Sequence, residues 1–167
     1  MKPVIVGLGN DLFADDAFGL MAARRCASLL GRSADVVESS EAGLALLDLL
    51  VGRPFAIVID AIATGRDRPG TLYRFRSGDL RLFPSLSPHH AGLPEVLHMG
   101  RGMRLPLPDE VQIIAVEAQD TSTMGGGLTP PVAAALEEAV EVAVGMIRKW
   151  HEAQGSPDIA LTADRAA

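Results

Sequence analysis

The chain has 167 residues, enough for one domain with a substantial core. Hydrophobic residues make up 48% of it and aromatics 4%, so that core must be built from Leu, Val, Ile and Ala. A net charge of −6 with no basic run argues against nucleic acid and anionic membranes as partners, and a single cysteine, Cys26, excludes an internal disulfide and fits a reducing compartment.

Val4 to Leu8 reads as a buried strand, rich in β-branched residues. Gly7 and Gly9 allow a tight turn and a close approach of the backbone, and Asn10 and Asp11 are turn residues. Asp15 is expected to cap a helix that runs to about Leu30, with Phe18, Met21, Ala22, Arg25 and Cys26 at helical spacing and Gly31 as its stop. Asp35 to Glu38 is a short second strand, and Leu44 to Val51 a short apolar helix. Phe55 to Ile62 is apolar almost throughout, as a central strand covered on both faces should be. Its exception is Asp60, near the C-terminal end. Thr71 to Phe75 reads as a fourth strand and Ser77 to Pro88 as irregular. Leu93 to Met99 is a short helix and Val111 to Val116 a fifth strand. Thr121 to Gly127 is a loop ending in three glycines, either slack or a lid hinge. Thr129 caps, and Pro130 and Pro131 open, a long last helix whose apolar stripe is Val132, Leu136, Val140, Ala143, Ile147 and Trp150. One domain over residues 1–153 is expected, followed by a flexible tail over 154–167. The N-terminal apolar run breaks at Gly7, and Glu137, Glu138 and Glu141 interrupt the last one. Neither a signal peptide nor a membrane span is therefore expected, and a cytoplasmic monomer is.

Alternating strands and helices imply an α/β sandwich around a mostly parallel sheet. Right-handed crossovers would put strand three beside strand one, with strand two outside strand one. The ligand crevice then lies above the C-terminal ends of strands one and three, where the strand order reverses. The glycine turn after strand one invites a dinucleotide-binding reading, but the third glycine of that fingerprint is replaced by Leu12. Three carboxylates between Asn10 and Asp16 would also repel a pyrophosphate at that helix start. Carboxylates favour a cation instead. Asp16 and Asp60 should meet at this crevice, and His89 can add an imidazole from a loop passing over the same edge. Mixed nitrogen and oxygen ligation suits nickel or zinc better than calcium.

Plainer roles compete for each residue. Asp16 alone can be a first-turn carboxylate satisfied by the helix dipole. Asp60 alone can cap a turn, although an acid inside so apolar a strand favours function. His89 and His90 are adjacent, and spacing does not choose between them. His98 and His151 read as helix-surface residues, and Cys26 as an inert core thiol. No G-x-S-x-G elbow supports acyl-enzyme chemistry.

The run Gly7-x-Gly9-Asn10-x-Leu12-x-x-Asp15-Asp16-x-x-Gly19, then Glu41-Ala42-Gly43, Ile59-Asp60-Ala61, Ser87-Pro88-His89-x-x-Gly92-Leu93 and Gly127-Leu128-Thr129-Pro130, resembles the maturation endopeptidases of nickel-iron hydrogenases. The likeness runs in order from Met1 to about Trp150. It implies a three-layer α/β/α sandwich with a five-stranded sheet in which the Thr71 to Phe75 strand runs against the others. It implies an endopeptidase that removes a C-terminal extension from the hydrogenase large-subunit precursor once nickel is inserted. The resemblance implies that the nickel is carried by the substrate and contacted through Asp16, Asp60 and His89. The first of these is often Glu in relatives, so Asp16 reaches one methylene less far. No protein nucleophile is implied; the catalytic group is left open, with Asp16 and Asp60 as candidates. Two other readings stand beside this one: a metal-checking chaperone that cuts nothing, and a metallohydrolase holding its own zinc.

Overall fold

The computed structural model describes residues 1–77, 79 and 93–155. Its elements in chain order are β1 (Val4–Leu8), a single 3-10 turn (Asp15–Ala17), α1 (Phe18–Leu30), β2 (Asp35–Ser39), α2 (Ala45–Leu50), β3 (Ala56–Ile62), β4 (Leu72–Arg76), α3 (Leu93–Gly102), β5 (Val111–Glu117), α4 (Pro130–Ala134) and α5 (Leu136–Ala153). The five strands form one sheet in the order β2-β1-β3-β5-β4. β1, β2, β3 and β5 are parallel, and β4 pairs antiparallel with β5. The expected adjacency of the first and third strands and the reversed fourth strand are both present.

Every residue of β1 and β3 is buried, as their unbroken apolar sequences require of strands covered on two faces. On one face Ile5, Ile57, Ile59, Ile114 and Val116 pack with Phe18, Ala22 and Cys26 of α1 and Val140, Ala143 and Ile147 of α5. On the other, Val4, Val6, Val58, Ile113 and Ala115 pack with Leu46 and Leu50 of α2 and Leu93 and Leu97 of α3. Burying one such side chain is worth about 1.5–3 kcal/mol, so the two clusters hold the three layers together. Asp60 alternates with Ala56, Val58 and Ile62, which puts it on the α2/α3 face.

Three local expectations change. The last helix comes in two pieces, α4 and α5, meeting at Ala135. Within its stripe Val132, Val140, Ala143 and Ile147 are buried, while Leu136 and Trp150 are partly so. Asp15 caps nothing, because the N-cap position of the 3-10 turn is Ala14 and no side-chain cap bond forms. Thr129 does occupy the N-cap position of α4, yet makes no cap bond. Both side chains are engaged with each other instead. Residues 156–167 of the expected tail, and His89 and His90, lie outside the described residues. Among the described residues no helix is long and apolar enough to cross a membrane.

Candidate functional site

Two glycines bring the first helix onto the sheet. A Cβ on Gly19 would lie 2.2 Å from the Leu8 carbonyl oxygen and 2.3 Å from that of Ile59, so only glycine lets α1 start directly over the ends of β1 and β3. Gly9 has φ of 141°, and a Cβ there would lie 1.8 Å from the Asp16 carbonyl oxygen. That carbonyl also accepts from the Asn10 N–H at 3.2 Å. The 3-10 turn carrying Asp16 is thus folded back over the C-terminal end of β1 and also touches β3. Asp16 is half-buried. Asp60, the fifth residue of β3, is fully buried, and its Oδ1 accepts from the Ala61 N–H at 2.8 Å. Both carboxylates therefore stand at one end of the same strand pair, where the order reverses. Among the described residues no three His, Cys, Asp or Glu side chains group closely enough to hold a metal ion.

Two further acids at this end were assigned no such role from the sequence. Asp15 is 0% exposed. It accepts from the N–H groups of Gln119 (2.8 Å), Asp120 (2.9 Å) and Thr129 (2.7 Å), and from the Thr129 hydroxyl at 2.9 Å. A buried carboxylate is tolerated only when so satisfied. Here it fastens the loop after β5 to the loop after β1. The Asp15 N–H returns a bond to the Asp120 carbonyl at 2.8 Å. Asp120 in turn accepts from Thr123 and Ser122, and those bonds, the Thr123 ones first, hold its carboxyl well below the usual carboxylate range. Glu117, 2% exposed, accepts from the Thr64 and Gly65 N–H groups at 2.8 Å each, the Thr64 hydroxyl at 2.6 Å and the Tyr73 hydroxyl at 2.8 Å. It fixes the turn after β3, and burial, then the bonds from the Tyr73 hydroxyl to Glu117 and Asp67, push that phenol above its ordinary range. A fully buried acid leaves a sequence signal only when it interrupts an apolar strand, as Asp60 does. Asp15 sits in a polar loop and Glu117 at a strand end, where acids are ordinary.

The remaining candidates have other roles. Cys26 is fully buried in α1, and burial, then the charge of Glu137, pushes its thiol up to about 12, so it is no nucleophile. Asp11 is exposed and pairs with Arg24, which also pairs with Glu38. His98 is exposed on α3. His151 is half-buried rather than a free surface residue, and its Nε2–H donates to the Ser33 carbonyl at 2.8 Å. Space and chemistry do not coincide. A cavity of about 600 Å³, lined by Arg53, Phe55, Arg74, Glu110, Lys149 and Trp150 among others, opens at the opposite end of the strands. A smaller one of about 240 Å³, lined by Gly9, Asn10, Asp11, Arg24, Glu38 and Ser39 among others, opens beside the acid-rich rim.

Fold and rim define a class: a single-sheet α/β protein with carboxylates at its strand-reversal crevice. Within it, the model of the hydrogenase maturation protease family HycI matches residues 24–146. The hydrogenase expression/formation protein HupD of Rhodobacter capsulatus is 31% identical over 89% of this chain and 72% of its own length. The hydrogenase 2 maturation protease of Escherichia coli K12 is 29% identical over 89% of this chain and 92% of its own. Among solved structures, the hydrogenase maturating endopeptidase HybD from E. coli superposes with a TM-score of 0.79 at 27% identity, covering 90% of this chain and 94% of that one. HybD from Thermococcus kodakarensis gives 0.68 at 26% identity, over 88% and 99%. The chain belongs to the hydrogenase maturation protease family, and it is a peptidase.

Proposed function

We propose that this peptidase removes the C-terminal extension of a nickel-iron hydrogenase large-subunit precursor after nickel has been inserted, and that it reads the nickel held in the precursor through Asp16, Asp60 and His89. The observation that carries the reading is Asp60: a fully buried carboxylate in an otherwise apolar central strand, at the end of the sheet where Asp16 also stands. Burying an acid there is costly without a partner or a task. Leu93, fully buried on the same face as Asp60, opens α3 four residues after His89. Two carboxylate oxygens and an imidazole nitrogen suit nickel, and three ligands leave positions for donors of the precursor itself. Nickel is in this reading part of the substrate, so the peptidase acts only on precursors that carry it.

In the hydrolysis, a water oxygen bonds to the scissile carbonyl carbon, the C–N bond breaks, and the departing amine takes up a proton. A carboxylate at the rim is suited to accept that proton from the water and to pass it on. The reaction belongs in the cytoplasm, carried out by a monomer, and the lone reduced Cys26 agrees with that compartment. The test is to incubate nickel-loaded precursor with the wild-type chain and with Asp60→Ala, and to follow the precursor by mass spectrometry. Loss of the tail with wild type and its retention with the variant are expected. Equal processing by both removes Asp60 from the site. A stable complex without any mass loss would instead make the protein a non-cleaving, metal-checking chaperone.

A further inference from the structure

The rim also exposes apolar side chains that the carboxylates do not need. Leu12 is 58% exposed and Met124 72%. They come from the loops after β1 and after β5, and the backbone holds them together. The Ala14 N–H donates to the Thr123 carbonyl at 3.0 Å, the Gly125 N–H donates to the Leu12 carbonyl at 2.8 Å, and Phe13 pairs with Met124. Asp15, buried beneath, ties down both loops. Single exposed apolar residues are ordinary on any protein, but here two large ones stand on backbone segments bonded to each other at the rim of a crevice. The backbone beside them is bare. Gly125, Gly126 and Gly127 have φ of 78°, 82° and 69°, and among the described residues no heavy atom beyond their chain neighbours lies within 4 Å of where a Cβ would stand on any of them. Leu44, 57% exposed, comes from the loop after β2 at the same end of the sheet. Leu12, Phe13 and residues 121–127 contain no charged side chain.

We propose that the shelf made by Leu12, Met124 and the glycine backbone docks the extended, apolar stretch of precursor polypeptide that flanks the scissile bond. This rests on the reading that the precursor's C-terminal region is the substrate. A peptidase must hold its substrate chain next to its site, and this shelf continues directly from the turn that carries Asp16. Methionine adapts its shape to an apolar partner, and side-chain-free backbone lets another main chain approach closely. The rigid footing supplied by Asp15 means that little order has to be imposed on binding. The shelf therefore acts on substrate capture and not on bond breaking.

The experiment is steady-state processing of nickel-loaded precursor by Leu12→Ser, Met124→Ser and the double variant, with thermal melting measured alongside. Each single change is expected to raise KM about 10-fold, the scale of one lost apolar contact, with the double variant worse and kcat far less affected. Met124 lies outside every helix and strand, so Met124→Ser carries the test should Leu12→Ser melt early. A double variant that keeps wild-type KM overturns the shelf. Asp60→Ala is judged separately on kcat: full activity there topples the carboxylate reading, while the shelf is still decided by KM.

Discussion

The two ends of the sheet are built on opposite plans. At the N-terminal ends of the parallel strands lies the larger cavity, about 600 Å³, whose charges are met by half-exposed ion pairs such as Arg53 with Asp35 and Arg76 with Glu110. At the C-terminal ends the adjoining cavity is smaller, about 240 Å³. Yet Asp15, Asp60 and Glu117, the buried acids among the described residues, all stand there. An exposed ion pair costs and contributes little. A buried carboxylate is expensive unless its surroundings are arranged around it. The end that bears that cost is the one proposed to carry the chemistry, and it is not the end with the larger open volume.

Removing Asp60 should break the contrast most severely. Asp60→Ala is expected to lower the processing rate of nickel-loaded precursor by at least about 100-fold, since even the outer partners of metal ligands are worth 10–100-fold. Circular dichroism should show the fold retained. A loss of fold in place of a loss of rate would make Asp60 structural, like Asp15. Next comes Asp15→Ala, which strands three part-buried N–H donors and a hydroxyl. A stranded donor costs about 1–3 kcal/mol when fully buried and less where water reaches it, so for these part-buried groups a total of roughly 3 kcal/mol is expected, seen as a melting temperature lower by about 6–12 °C.

A group belonging to neither end sharpens the picture on the alkaline side. The Cys26 thiol is held protonated up to about 12, against an ordinary value of 9.0. Its contribution to stability is complete below pH 9 and is lost as pH rises toward 12, because the unfolded chain gives up this proton first. Between pH 9 and 10.5 that amounts to about 2 kcal/mol at ~1.4 kcal/mol per pH unit. Urea midpoints of wild type should therefore fall faster over this range than those of Cys26→Ala. The smallest effect belongs to the N-terminal end. Arg53→Ala removes a half-exposed ion pair and should cost roughly 0.5 kcal/mol, leaving processing unchanged. A large loss of processing there would reverse the functional ranking of the two ends.

Much of the fold was legible because each strand declares itself within a few residues. The apolar run of β3 marks a central strand, and the Gly9 turn marks the close approach of the 3-10 turn to the end of β1. Asp60 was legible for the same local reason, as an acid that interrupts such a run. Asp15 was misread as a cap because its partners, Gln119, Asp120 and Thr129, lie more than a hundred positions away, and no periodicity spans that distance. The break between α4 and α5 was hidden too, since Val132, Val140, Ala143 and Ile147 keep one buried stripe across it. His151 looked like a surface residue because its partner is a backbone carbonyl, that of Ser33, which carries no sequence signal.

In the proposed function the C-terminal end of the sheet senses nickel carried by the substrate. This sensing is tested most directly by the mass of a hydrogenase large-subunit precursor after incubation with the wild-type protein, in parallel with and without nickel bound. Loss of the C-terminal extension from the nickel-bearing precursor alone is the predicted result. Equal trimming of the nickel-free precursor would contradict it.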